Sequence, residues 1–166
     1  METDIIAARI LHFVFGVFWA GTAFFMAVIL EPRLRALGPT IQRPVMVAIF
    51  PVMVPAMMLS GTITILSGLY LLVNLWGGMD VFLDREWGRA IFAGLIAALL
   101  AFASGITTSI QGKKLFRMGD AIQGRPPTPD EMAGMTRLSS QLTLLGRTTA
   151  VLVLIALVTM ASARYL

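Results

Sequence analysis

The chain carries one histidine, His12, within "ILHFVFGVFWAG" (residues 10–21), where every other side chain is apolar or small. An imidazole in such a place can ligate haem iron or copper, carry a proton near neutral pH, or sit as a hydrogen-bonded polar group between packed helices. Ionisable groups inside membrane segments lean toward function, and any buried polar ring needs a partner. His12, Gly16 and Ala20 share the spacing that places side chains on one helix face, so the ring is expected to look at neighbouring helices rather than lipid. With the helix entering near Ile5, His12 lies about two turns below the surface at 1.5 Å per residue. Ser67 and Tyr70, residues 92–96, and Thr159 and Met160 fall at similar depth on the other spans.

Two readings are open at this point. In one, His12 is structural and bonds Ser67, Tyr70 or Thr159. In the other it is an axial ligand to haem b or to copper, or a proton carrier, with Met160 or Tyr70 as a second group. Arg9 either snorkels to lipid headgroups or contacts an anion such as a haem propionate. One histidine cannot supply both axial positions of a bis-histidine haem, so that arrangement requires a homodimer.

The absence of cysteine removes disulfides, thiolate-held iron–sulfur clusters, covalently attached haem and thiol nucleophiles. No expected span carries Asp or Glu near its centre, and Asp4, Asp80 and Asp84 are interfacial, which leaves His12 without a carboxylate for hydrolase chemistry. The eleven methionines look scattered, and Met57 and Met58 lack a matching pair on another span, so a copper-conducting ladder gains little support. The net charge of +4 comes from basic residues flanking apolar spans; they orient the protein and meet anionic lipid, and no nucleic-acid footprint is present.

The elements that must position these groups are transmembrane helices. A chain that is 57% hydrophobic, 13% charged and of mean hydropathy +0.83 is a membrane protein by composition. Four apolar runs reach the roughly 20 residues needed to cross a bilayer, at about 5–30, 45–76, 87–110 and 142–163. Residues 1–166 then form a single integral membrane domain, whose first helix is retained as its own insertion signal. Pro32 is expected to end the first span at "EPRLRALGP", and Pro51 and Pro55 to make the start of the second kinked or interfacial. Between the second and third spans, "GGMDVFLDREWGR" is a short polar link with Trp76 and Trp87 at headgroup level. Residues 111–141 form the one long loop, in which "TPDEM" predicts a helix start with Thr128 as cap, Pro129 at the first position and Glu131 three residues on. Asn74 and Gln111 are expected at helix ends.

Lysine and arginine cluster in loops one and three, which puts those loops, including 111–141, in the cytoplasm and both termini outside. The expected fold is therefore an all-α, four-helix transmembrane bundle, up-down-up-down, N-out/C-out. Small-residue stripes (Ala93, Ala97, Ala101, Gly105, Ser109; and Ala56, Ser60, Thr64, Gly68) are its packing faces, with a ligand cavity along the same stripe as the alternative.

His12, Trp19, Gly21 and Pro32 in "LHFVFGVFWAGTAFF…EP", with "SGLYLL" (67–72) and "MASARYL" (160–166), resemble a group of small bacterial four-helix membrane proteins. The group includes the copper-resistance-D-like proteins and, more distantly, the small membrane-type protoporphyrinogen oxidases. The resemblance implies a b-haem, porphyrin or copper-linked role in a bacterial inner membrane, with His12 at the ligand position. The oxidase subgroup pairs its histidine with a lysine on a later helix, whereas this chain has lysine only at 113 and 114, so position 12 alone is carried over. A non-catalytic structural or assembly subunit of a larger membrane complex, with a structural histidine, is the alternative function.

Overall fold

The computed structural model describes residues 2–75, 79–122 and 124–166. It is all-α among these residues, with four helices long and apolar enough to cross a membrane: Glu2–Ala36, Pro39–Leu75, Glu86–Ala121 and Pro129–Tyr165. They are called the first to fourth helices below. Bulky apolar side chains such as Phe13, Val52 and Val73 are about 70% or more exposed, the inverse of a water-soluble bundle and the arrangement a lipid solvent demands.

Contact registers give the topology. His12 meets Gly68, Gly16 meets Thr64 and Trp19 meets Gly61, so the first two helices run antiparallel. Gly94 meets Thr159 while Ser104 bonds Leu145, which makes the third and fourth antiparallel as well. Phe50 against Gly112 and Gly61 against Phe102 reverse the second relative to the third. The bundle is thus up-down-up-down, built as two hairpins with closer packing inside each hairpin than between them.

In the half that holds the termini, the hairpins meet on a core of Trp19, Ala20, Ala97, Ala98, Ala101, Val153 and Ala156. Alanine at these positions lets backbones approach where lipid competes for every apolar contact. The indole of Trp19 fills the remaining space, edge-on to Phe102 at 6.1 Å.

Every helix runs beyond its expected span. The first continues past Pro32 to Ala36 because a π-helical turn over Phe25–Leu30 precedes it, in which the N–H of Glu31 bonds Met26 five residues back. Proline then opens the renewed α-helix, where its missing N–H costs little. The second helix runs through Pro44, Pro51 and Pro55 without a break. The third extends to Ala121, which puts Gln111 inside a helix rather than at its end and leaves its Oε1 buried with no partner among the described residues. Asn74 does bond the last turn, donating to the Tyr70 carbonyl. Trp76 lies outside the described residues. The link after it contains a short helix, Met79–Asp84, whose Phe82 is buried against Trp87 at 5.4 Å. The fourth helix begins at the expected capping box: Glu131 N–H donates to Thr128 Oγ1, and Thr128 N–H donates to Glu131 Oε2.

Candidate functional site

His12 is half-buried between the first and second helices. Its Nδ1 lies 2.8 Å from the Thr64 carbonyl oxygen. A carbonyl only accepts, so Nδ1 carries the proton and, in the neutral ring, Nε2 carries the lone pair. The ring lies over Gly68, where a Cβ would come within 2.8 Å of His12 Cε1. Thus the ring faces the neighbouring helix, and its partner is a backbone carbonyl one turn from Ser67, not the Ser67, Tyr70 or Thr159 side chain. Ser67 also donates to the Thr64 carbonyl, at 3.1 Å, and more closely to Ile63 at 2.6 Å. Among the described residues Nε2 has no hydrogen-bond partner.

The structure does not gather the other expected site residues around this ring. Arg9 is exposed, Tyr70 is 41% exposed, and Met160 packs on Gly94 between the third and fourth helices. No hydrogen bond, ion pair or ring contact joins any of them to His12 among the described residues. Nor do three or more His, Asp or Glu side chains converge there as a metal ion would require. Among the described residues no second candidate ligand stands beside the ring.

A larger concavity than the seat of the ring lies at the opposite end. Between the two hairpins, from Trp19 down to the first and third loops, is a cavity of about 580 Å³. That volume is within the range of roughly 300–1,000 Å³ usual for small-molecule sites. Met26, Met46, Met53, Met57, Met58 and Met135 line it, six of the eleven methionines, drawn from three helices. Unbranched, polarisable methionine adapts its shape to an occupant as other apolar side chains do not. Phe50, Phe102 and Phe116 complete the apolar wall, and Phe50 stands edge-on to Phe116 at 5.0 Å.

The small-residue stripe of the third helix divides at this point. Ala97 and Ala101 are buried in the core, whereas Gly105 faces the cavity with nothing within 4 Å of where a Cβ would stand. Gly146 of the fourth helix is equally open. One stripe therefore provides packing above and space below.

At the loop end the hairpins are joined by polar bridges. Glu31, whose side chain is 19% exposed, accepts from Arg35 at 2.6 Å and from Thr143 of the fourth helix at 2.7 Å; Arg35 also donates to Thr143. Arg43 reaches Asp120 of the third helix at 3.2 Å and lies over Gly119. All but Asp120 and Thr143 precede the second membrane stretch, in a segment the composition marks only as interfacial. Trp19, Ala23, Ala27, Glu31 and Arg35 recur every four residues and all line the cavity, a face that a uniform α-helix would not keep and that no residue type announces.

Comparison with protein-family models, curated proteins and solved structures gave no match.

Proposed function

We propose that this chain is a small multi-pass membrane protein that holds an apolar molecule between its two helical hairpins, in the manner of a non-catalytic binding subunit, with His12 as a structural clasp. The cavity of about 580 Å³ carries this reading: its wall is apolar and adaptable, and its glycines leave space that packing alone would close. The bond from His12 to the Thr64 carbonyl supports the second part, because it ties the first helix to the second on the far side of Trp19 from the cavity. Nine of the thirteen basic residues but four of the nine acidic ones belong to the half with the first and third loops. That half is proposed to face the cytoplasm of a bacterial inner membrane.

Trp19 lines the cavity and is 6% exposed, so it can report occupancy. With Trp76 and Trp87 replaced by phenylalanine, it is the one remaining tryptophan. A long-chain alcohol brominated at mid-chain should quench it saturably in lipid nanodiscs. Gly105→Phe with Gly146→Phe should fill the space and abolish the saturable part while the helical spectrum is kept. Quenching that rises linearly with probe and ignores both substitutions would refute a binding cavity.

A second reading is favoured by the unpartnered Nε2 of His12 and by the resemblance to copper-resistance-D-like proteins. In it, Nε2 ligates haem b iron or copper, and the Thr64 carbonyl orients the ring from the other nitrogen, as second-shell acceptors do. The remaining ligand must come from another copy or another subunit. A Soret band in the purified protein, shifted by dithionite and lost in His12→Ala, would support this; a colourless, metal-free and stable protein would exclude it.

A further inference from the structure

We propose that the cavity takes a single-chain amphiphile with an anionic head, its chain running up toward Trp19 and its head between Arg35 and Arg43, and that Glu31 occupies Arg35 as an internal stand-in for that head. This rests on the binding-cavity reading above and adds the chemistry of the ligand.

The wall and the rim differ in what they can offer. Within the wall, four hydroxyl protons are committed one turn back: Thr108 donates to Ser104, Thr136 to Met132, Ser140 to Thr136 and Thr149 to Leu145. The wall is thus short of donors, and a polar head placed there would lose hydrogen bonds to water without replacement. Donors are concentrated at the rim. Among the described residues Arg35 donates through one nitrogen, Nη2, to Glu31 and Thr143, and Arg43 through Nη2 to Asp120 at 3.2 Å. A guanidinium carries five N–H donors in a fixed fork whose two bidentate faces share Nη2, so Arg43 keeps one such face open, whereas on Arg35 an anionic head gains one only by displacing Glu31 or Thr143 from Nη2. Their side chains are 49% and 44% exposed, accessible to a head arriving from the interface. The same half of the molecule holds nine basic against four acidic residues, which attracts anions to the rim.

Glu31 gives the proposal its distinctive consequence. Its carboxylate presents to Arg35 the same group a fatty acid would, so an incoming anion competes with it. Removing its charge should strengthen binding of an anion and leave binding of a neutral chain unchanged.

The experiment uses the Trp19-only protein in phosphatidylcholine nanodiscs, with four probes sharing one brominated chain: carboxylate, lysophosphatidate, alcohol and trimethylammonium. Carboxylate or lysophosphatidate should bind about tenfold more tightly than the alcohol, from two half-exposed ion pairs together; whichever of the two is tighter identifies the head. Arg35→Gln with Arg43→Gln should bring the anion down to the alcohol's affinity, and Glu31→Gln should tighten it about fivefold. Equal affinity for anion, alcohol and cation, or a preference for the cation, would overturn the anionic head while leaving the cavity reading in place. Weaker anion binding in Glu31→Gln would overturn the stand-in role. Absence of saturable quenching by all four would fail the cavity reading itself.

Discussion

Gly68→Ala tests the seat of the imidazole most directly. The new Cβ would stand 2.8 Å from His12 Cε1 and 3.0 Å from Nδ1. Carbon contacts settle near roughly 3.5–4.0 Å, so the ring must retreat by about 0.7 Å. It is held by one bond of 2.8 Å, and a retreat of that size takes Nδ1 to about 3.5 Å from the Thr64 carbonyl, beyond useful hydrogen-bond length. The variant either keeps the ring and accepts overpacking of about 1–3 kcal/mol or releases it and loses about 0.5–1.5 kcal/mol. The cheaper route sets the cost, and alanine returns about 1 kcal/mol of helix propensity, so a net change within about 0.5 kcal/mol of zero is expected. In a His12→Ala background the obstacle is gone and the same substitution should stabilise by up to about 1 kcal/mol. The two sites should therefore couple by about 1 kcal/mol, measured by reversible unfolding of the four proteins in mixed SDS and maltoside micelles. Coupling below about 0.5 kcal/mol would mean that the ring does not lie between these helices, and the clasp would be refuted.

Other consequences are checked by the same unfolding assay or by local probes. Gly88→Ala should destabilise by more than about 2 kcal/mol, because its Cβ would fall 1.7 Å from the Phe82 carbonyl oxygen, a backbone atom, and dislodge the buried Phe82 ring. Gly105→Ala, with open space at the same atom, should instead stabilise by about 0.5–1 kcal/mol. Thr128→Ala should cost about 1 kcal/mol and raise amide exchange over the first turn of the fourth helix, whose capping box lies outside the apolar stretch 142–163. In the same turn the Glu131 carboxyl is lowered from 4.5 to about 2, first by the Arg125 guanidinium bonding it at 2.6 and 2.8 Å and then by the Thr128 backbone N–H. A folded value below the unfolded one gives stabilisation that is complete above about pH 4.5 and is lost as pH falls toward about 2. NMR titration of Arg125→Ala should show the Glu131 midpoint moving up; an unmoved midpoint would refute the pairing.

The elements themselves were legible because each is announced within its own stretch of chain. Hydropathy marked the four long helices, and "TPDEM" marked the capping box through residue types three positions apart. The orientation of His12 was legible too, since Gly16 and Ala20 continue its face and small residues belong at helix contacts. Its partner was not: a backbone carbonyl has no signature in residue types, and Thr64 accepts through an atom every residue possesses. Phe82 was hidden for a related reason. Its burial comes from Gly88 admitting the link's backbone against the next helix, a contact that a polar-looking composition conceals.

The cavity was hidden by a change of helical pitch. Trp19, Ala23, Ala27, Glu31 and Arg35 recur every four residues, and at 3.6 residues per turn each step overshoots by about 40°, so Arg35 would come to stand about 160° from Trp19. On a uniform helix the arginine belongs to the opposite face, and the carboxylate before it drifts most of the way there. The π-turn at Phe25–Leu30 accommodates one extra residue and takes back about 100°, which returns Glu31 and Arg35 to the side of Trp19. The same turn places Pro32 at the start of renewed α-helix, where it extends the segment it was expected to end. A single local irregularity thus both lengthens the first helix and carries its charged end to the cavity rim. The methionines follow from this geometry: scattered along the chain, they converge only once the hairpins are set apart below Trp19, a property of the distance between helices and of no one helix's periodicity.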